Sequence, residues 1–196
     1  MVRQAQAEAR RARARARTAM PKSIGPELAT LVSSIPESGE WLYEVKFDGY
    51  RAISYVDHGE VRIISRNDKD WSAKLGPLAD GLAELPCEEA ILDGELVVIL
   101  PDGSTDFQAL QTAMGAGAVD NLTYFAFDLM FLDGEDLRHL PVQARKARLC
   151  SLLEGVPKGA PIRFSDHLHD PGKHAFELAC QHGLEGLIGK RVGSTY

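Results

Sequence analysis

The chain has 196 residues, of which 44% are apolar and 26% are charged, and its net charge is −6. The longest apolar runs fall far short of the roughly 20 residues that span a bilayer, so the sequence indicates a cytoplasmic globular protein with one substantial core. Three cysteines without a CxxC spacing exclude a disulfide framework and a zinc finger. We expect Cys150 and Cys180 to lie on apolar faces of helices.

The charge is unevenly distributed along the chain. Residues 1–22 carry six arginines and Lys22 against Glu8, a net charge of +6, which leaves −12 for the remainder. This Ala/Arg-rich segment has high helix propensity but no apolar stripe, so it predicts a solvated linker, with a phosphate-contacting arm as the alternative. The folded domain is predicted at 23–196, and its acidic character excludes a broad DNA-coating surface.

Period-two runs of β-branched and aromatic residues predict strands, and 3.6-residue patterns with caps predict helices. In chain order the predictions are a helical turn at 27–31, a strand through 41–47, a hairpin of strands at 50–56 and 60–65, a helix over 71–85 broken near Gly76-Pro77, a strand at 90–100, a helix from Asp106 through Met114, a strand at 122–132, a helix at 141–153, a strand at 162–165, a helix at 171–182 and a strand at 187–191. Strands outnumber helices and hairpins are frequent, which predicts an α+β fold with antiparallel sheets flanked by helices.

The stretch from Glu44 to Arg51 is typical of a nucleophile site. In a strand, Glu44, Lys46 and Asp48 share one face, and Gly49 then allows a turn. An amine attacks phosphorus only when it is neutral, and the ordinary lysine pKa of about 10.4 must be lowered for that. Neighbouring acids would raise it, so the pattern implies a bound metal ion. The alternative is an exposed lysine on an edge strand.

Other candidate residues lie far away in the sequence. Asp93-Gly94-Glu95 interrupts an apolar strand, where a carboxylate is costly unless it meets a ligand or partner. Phe127 lies in an aromatic strand, and periodicity alone favours a place in the core. The acidic and histidine cluster at 166–170 lacks a third ligand at a recognised zinc spacing, so we expect no metal there.

These segments together resemble a known family. Lys46-Phe47-Asp48-Gly49-Tyr50-Arg51 matches the KxDGxR signature of the covalent nucleotidyltransferases, which comprise ATP-dependent DNA ligases, RNA ligases and mRNA capping enzymes. Four further motifs follow in family order: Ser65-Arg66-Asn67, Asp93-Gly94-Glu95, Phe125-Ala126-Phe127-Asp128-Leu129 and Glu185-Gly186-Leu187-Ile188-Gly189-Lys190. From about Pro26 to Tyr196 the chain is most similar to the ligase module of bacterial ligase D, an end-joining enzyme.

The resemblance implies the adenylation fold, with ATP as nucleotide and Mg²⁺, or Mn²⁺ in its place, as the metal. It implies that Lys46 becomes lysyl-AMP and that Asp48 orients Lys46 or supports a later step. The remaining implied roles are the adenine edge for Glu44, the ribose or phosphate for Arg51 and Glu95, base stacking for Phe127, the DNA phosphate for Arg66, and the metal for Glu185 together with Glu95.

The resemblance also implies partners. They are nicked or broken double-stranded DNA at the nucleoid, with Ku and polymerase or nuclease modules. The alternatives are an RNA ligase, a capping-type enzyme and a non-catalytic DNA-binding module. The family's pair of lysines in its last nucleotide motif and its OB-fold domain would follow Tyr196, so we expect this sequence to be a piece of a longer ligase and poor at sealing by itself.

Overall fold

In this computed structural model of the protein, residues 17–36, 38–157, 159–168 and 172–196 are described. The strands are β1 (Trp41–Val45), β2 (Tyr50–Asp57), β3 (Glu60–Ser65), β4 (Glu89–Val98), β5 (Leu122–Leu132), β6 (Glu135–Asp136), β7 (Ile162–Phe164), β8 (His167–Leu168) and β9 (Leu187–Arg191). The α-helices are α1 (Gly76–Ala83), α2 (Phe107–Ala116), α3 (Val142–Leu153) and α4 (Gly172–Gln181). Short 3₁₀ turns at Ser72–Lys74 and Val119–Asn121 complete these elements. Most of the predicted tail lies outside the described residues.

The strands form two sheets. In the smaller one β1 lies between β8 and β9, and in the larger one the order is β3-β2-β4-β5-β6. All pairs are antiparallel except β7, which runs parallel to β5. The register of the larger sheet places Arg51, Glu95 and Phe125 opposite one another on three neighbouring strands. Residues that are 30 to 75 positions apart in the sequence are thereby brought side by side, and the predicted α+β fold is confirmed.

Each face of the larger sheet has its own apolar cluster. On one face β2, β4 and β5 pack against α1, α2 and α3, with Leu82, Leu96 and Leu129 fully buried. On the opposite face a smaller cluster around Phe131 is covered by Met20 and Ile24 of the segment that precedes β1. Both faces of the larger sheet are therefore shielded from water, and this apolar burial stabilises the sheet.

Local sequence signals explain where several elements begin and turn. The Asp106 carboxylate accepts a hydrogen bond from the backbone N–H of Ala109 at 2.5 Å, the N-cap expected for α2. In the β2–β3 hairpin both His58 and Gly59 have positive φ, at 48° and 86°. Pro77 lies in the first turn of α1, which explains the predicted break between Trp71 and that helix.

Two predictions were wrong, and two short strands were missed. Residues 27–31 form no helix, and Leu28 and Leu31 of this segment are 55% and 98% exposed, so they pack on no element that would stabilise one. Cys180 is exposed on α4, whereas Cys150 is partly buried on α3. The two-residue strands β6 and β8 were not predicted, since their pairing depends on partners distant in sequence. In the described part of the chain, no helix is long and apolar enough to cross a bilayer.

Candidate active site

A cleft of about 1230 Å³ opens between the two sheets. The smaller sheet forms one wall. Strands β2, β4 and β5 of the larger sheet form the other wall through Arg51, Glu95 and Phe127. A cavity of this size exceeds the roughly 300–1,000 Å³ of a typical small-molecule pocket, so it leaves room for part of a second substrate beside a nucleotide. Every residue that the sequence motifs singled out as catalytic or ATP-binding lines it; these residues are Glu44, Lys46, Asp48, Arg51, Glu95 and Phe127.

Lys46 follows β1 directly and lies at the mouth of the cleft. Its backbone N–H donates to the carbonyl of Gly186 at 3.0 Å, so the backbone pairing with the β9 side continues to this residue. Its ammonium group forms an ion pair with Glu185. Both side chains are about two-fifths exposed, at 43% and 41%. Lys46 is therefore fixed at its backbone, while its amine remains open to a ligand.

The loop after Lys46 is held against the larger sheet by close packing. The rings of Phe47 and Phe125 stack with centroids 4.2 Å apart. A Cβ on Gly49 would collide with the carbonyl oxygen of Leu96 and lie 2.9 Å from Cγ of Glu95. Glycine is required here because the backbone approaches β4 so closely. The nucleophile thus keeps a fixed position relative to Glu95.

Arg51 is part of a chain of hydrogen bonds that reaches the opposite face of the larger sheet. Its Nε and Nη2 donate to the two oxygens of Asp93 at 2.9 and 2.5 Å, and the hydroxyl of Tyr196 donates to Asp93 Oδ2 at 2.8 Å. Burial raises the pKa of Asp93, and the bonds from Arg51 and Tyr196 oppose that rise. The guanidinium group lies 5.0 Å from the ring centre of Phe127. Asp93 thus fixes Arg51 against the cleft wall.

The side chain of Glu95 also lines the cleft, near the charged groups of Arg51 and Lys46. Burial raises its pKa to about 7, Arg51 opposes the rise and Asp93 adds to it. The charges of Lys46 and Glu185 also act on it. A carboxylate with this pKa exchanges its proton readily near neutral pH, and its charged form is ready for a cation.

Glu44 lies deeper in the cleft and is 3% exposed. Its Oε1 forms ion pairs with the ammonium groups of Lys146 at 2.9 Å and Lys190 at 3.0 Å. Lys146 is buried on α3, and it also donates to the carbonyl of Ser165 at 2.8 Å. Burial lowers the pKa of Lys146, and the Glu44 carboxylate opposes that shift. Glu44 is therefore held by cations from α3 and β9 at once.

A second buried ion pair supports the strand that carries Phe127. Arg145 Nε and Nη2 donate to the two oxygens of Asp128 at 2.7 and 2.9 Å, and the two side chains are 1% and 3% exposed. Lys190 donates to the carbonyl of Phe127 at 3.3 Å, and its Nζ lies 4.8 Å from the centre of that ring. The phenyl ring is thus positioned from both sheets.

The two remaining candidates lie at the rim. Asp48 is exposed beside Lys46, and Arg66 is exposed at the end of β3. The backbone N–H of Arg66 donates to the carbonyl of Arg51 at 3.1 Å, which ties this turn to the site. His169 and Asp170 of the cluster at 166–170 lie outside the described residues.

A profile of the ATP-dependent DNA ligase domain matches residues 26–196. The chain belongs to this family. It is 48% identical over 180 residues to the multifunctional non-homologous end joining protein LigD of Pseudomonas aeruginosa, covering 92% of this chain and 21% of that protein. It is 34% identical over 176 residues to the corresponding repair protein of Mycobacterium tuberculosis strain H37Rv, covering 89% of this chain and 22% of that protein. The chain thus spans about a fifth of these relatives.

Solved structures show the same fold. The ligase domain of M. tuberculosis LigD matches with a TM-score of 0.66 at 34% identity, covering 80% of this chain and 50% of that one. A mycobacterial DNA ligase D complexed with ATP and MES matches with a TM-score of 0.66 at 32% identity, covering 80% of this chain and 50% of that one. The Chlorella virus DNA ligase-adenylate, at 19% identity and a TM-score of 0.65, covers 88% of this chain and 62% of that one and shares the fold.

The donor set of this ligase domain fits a magnesium ion that a nucleotide helps to bind. Among the described residues no group of three or more His, Cys, Asp or Glu side chains could hold a metal. Mg²⁺ in nucleotide sites commonly takes only one or two carboxylates and completes its shell with phosphates and water. Glu95 and Glu185, whose charges act on each other across the cleft, supply that number.

Sequence reasoning missed the buried cations of the ligase domain. Arg145 and Lys146 lie on the same face of α3 as Val142, Leu149 and Leu152, and all five are buried. Two cations within an apolar helical stripe are a signal that the sequence already contained, because buried charges require partners. Asp93 carried the same signal, but its partners Arg51 and Tyr196 could not be read from the sequence.

Proposed function

We propose that this chain forms a covalent lysyl-AMP at Lys46 from ATP and passes the AMP to the 5′-phosphate of a break in double-stranded DNA. The observation that carries the proposal is that motif residues from Glu44 to Phe127 line one cleft, while Glu185 pairs with the partly exposed Lys46 at its mouth. The family match and the relatives named as ligases support the same reaction.

In the first step the neutral Lys46 amine attacks the α-phosphorus of ATP. The new bond joins Nζ to phosphorus, the bond from the α-phosphorus to the bridging oxygen breaks, and pyrophosphate leaves with the electron pair. Two protons leave in all, one from the ammonium group before attack and one from the nitrogen as the bond to phosphorus forms, and both pass to solvent at the exposed mouth of the cleft. Positioning supplies much of the rate in such a displacement, which agrees with the fixed backbone of Lys46.

The nucleotide lies along the cleft in our proposal. Phe127 stacks on the base and Glu44 accepts a hydrogen bond from the exocyclic amine of adenine. Arg51, held by Asp93, and Glu95 contact the ribose or the α-phosphate. Asp48 orients Lys46 or acts in the transfer to DNA.

Glu95 and Glu185 would hold Mg²⁺, or Mn²⁺ in its place. The metal supplies positive charge that offsets the charge on the phosphates and favours the neutral form of a nearby amine. The protein contributes the two carboxylates and the opening through which the triphosphate enters.

Transfer to DNA uses the exposed rim of the cleft. Arg66 can contact a backbone phosphate through its guanidinium fork, without reading base sequence. Because the relatives are end-joining proteins, we propose broken duplex ends as the substrate, with Ku and polymerase or nuclease modules as partners. Such a reaction belongs to the nucleoid in the cytoplasm.

A pulse-chase experiment tests the proposal. The chain is incubated with Mg²⁺ and ATP labelled in the α-phosphate, and then chased with nicked duplex carrying a 5′-phosphate. We expect label to bind the protein covalently and then to move to the DNA 5′-end, with no labelling from GTP. Label from GTP would indicate a capping-type enzyme, and acceptance of RNA alone would indicate an RNA ligase. Failure of any covalent label to form would refute the proposal.

A further inference from the structure

The helix α3 joins the two walls of the nucleotide cleft through consecutive residues. Lys146 reaches Glu44 on β1 of the smaller sheet, and Arg145 reaches Asp128, which adjoins Phe127 on β5 of the larger sheet. All four charged side chains are at most 3% exposed. Neither cation lies in any of the motifs identified in the sequence.

Lys146 is itself held from several directions. Its Nζ lies 2.9 Å from Glu44 Oε1, donates to the carbonyl of Ser165 at 2.8 Å and lies 4.8 Å from the ring centre of Phe164. The partly exposed Lys190 contacts the same Oε1. Two ammonium groups therefore lie at ion-pair distance from one oxygen of Glu44 and hold the carboxylate in place by charge, although this oxygen accepts no hydrogen bond from the described residues.

From this geometry we propose that Lys146 is a positioning residue that sets base specificity by fixing Glu44 as an ionised, acceptor-only group. This inference rests on the proposed function. An ionised carboxylate accepts hydrogen bonds but cannot donate one. Adenine presents an amine donor at position 6, whereas guanine presents a carbonyl acceptor there. A fixed carboxylate thus favours ATP and disfavours GTP, which would place two acceptors opposite each other.

The variant that tests this role is Lys146→Met, which keeps the length of the side chain but removes its charge and donors. Lys190 remains beside Glu44, so the carboxylate still has one cation and the fold should survive. We expect the ratio of ATP to GTP affinity, measured by calorimetry on the full chain, to fall by about tenfold or more. Lys146→Gln, which retains a donor, should give an intermediate ratio. Lys173→Met, at an exposed lysine on α4, is the control and should leave the ratio unchanged.

A double-mutant cycle separates positioning from general damage. In Glu44→Gln the amide can donate or accept, so the preference for ATP should fall, and adding Lys146→Met should lower it little further. Equal losses of ATP and GTP affinity in Lys146→Met, or additive effects in the double variant, would overturn the inference. If circular dichroism shows that Lys146→Met is unfolded, Lys146→Gln decides, and an unchanged ratio in it counts against the inference. A wild-type chain that binds neither nucleotide would refute the proposed function instead.

Discussion

The two ends of the cleft hold their charged groups in opposite ways. At the mouth, Lys46 and Glu185 form an ion pair in which each side chain is about two-fifths exposed. At the closed end, Glu44 with Lys146 and Asp128 with Arg145 are almost completely buried. An exposed pair contributes little free energy of folding and separates easily, whereas a buried pair is costly to break.

This difference agrees with the proposed reaction, in which the closed end binds the base and the mouth carries the nucleophile. The base is bound throughout and gains from groups that are fixed before it arrives. The lysine must lose its ion-pair partner, attack phosphorus and then carry AMP. We infer that stability and reactivity are divided along the cleft, and five predictions test that division.

The largest expected effect is loss of labelling in Lys46→Ala. This variant removes the only lysine that we place in line with the α-phosphorus, so no covalent AMP should form, while the melting temperature stays near that of the wild type. Gel detection of label from α-labelled ATP checks the loss, with Lys173→Ala as control. If peptide mapping of the wild type finds AMP on Lys190, the nucleophile is not Lys46 and the reactive end of the cleft is the one that holds Glu44.

Next in size is the effect of Arg145→Met on stability. Removing one partner leaves Asp128 as an uncompensated buried charge, so the free energy of unfolding should fall by about 3–5 kcal/mol. Urea denaturation monitored by circular dichroism measures it. The exposed Lys173→Met should change stability by no more than about 0.5 kcal/mol. A loss below about 1 kcal/mol in Arg145→Met would show that the closed end is not preorganised by this pair.

A smaller effect is expected from Phe127→Ala. Loss of base stacking should weaken ATP binding by about 1–3 kcal/mol, measured by calorimetry, with a modest change in melting temperature. Phe176→Ala provides an aromatic control, because this ring is 47% exposed on α4. Unchanged ATP affinity together with a collapsed melting temperature would identify Phe127 as a core residue.

Glu95 lies between the two ends and should give a pH signature. Burial raises its pKa from 4.5 to about 7, so the folded chain holds this proton more tightly than the unfolded chain does. The contribution of Glu95 to stability should therefore fall as pH rises from about 4.5 to about 7 and then level off. Glu95→Gln should remove this fall, so urea denaturation at pH 5 and pH 8 should show a relative gain at pH 8. The exposed Glu177→Gln should show no such gain, and an equal response of both variants would contradict the assignment.

The smallest effect on folding is expected from Glu185→Gln. Because its pair with Lys46 is exposed, the free energy of unfolding should change by less than about 1 kcal/mol. Labelling should nevertheless require a higher Mg²⁺ concentration, because one of the two carboxylates that we assign to the metal is lost. A metal titration of the labelling rate measures this shift. A variant that is strongly destabilised but has an unchanged Mg²⁺ requirement would place Glu185 with the structural pairs.

The sequence by itself determined most elements and the membership of the site. Strong periodicity, the Asp106 cap and the turn at Asp57-His58-Gly59 predicted the main strands and helices, because these signals act between near neighbours. Polar residues that interrupt apolar runs, such as Glu95, were recognisable because burying a charge without a partner is unfavourable. The motif residues from Glu44 to Glu185 could be named before the structure because their segments resemble the family's motifs in order.

Only the tertiary structure decided what holds those residues in place. The partners of Glu44 come from α3 and β9, about 100 and 146 positions further along the chain, and no local pattern encodes which cation meets which carboxylate. The same holds for Gly49, which the sequence assigned to a turn and whose essential constraint is close approach to β4. The helical turn predicted at 27–31 failed for a related reason: Leu28 and Leu31 are exposed, so no tertiary packing stabilises so short a helix. Propensity is a short-range property, whereas burial and charge pairing are settled when distant segments meet.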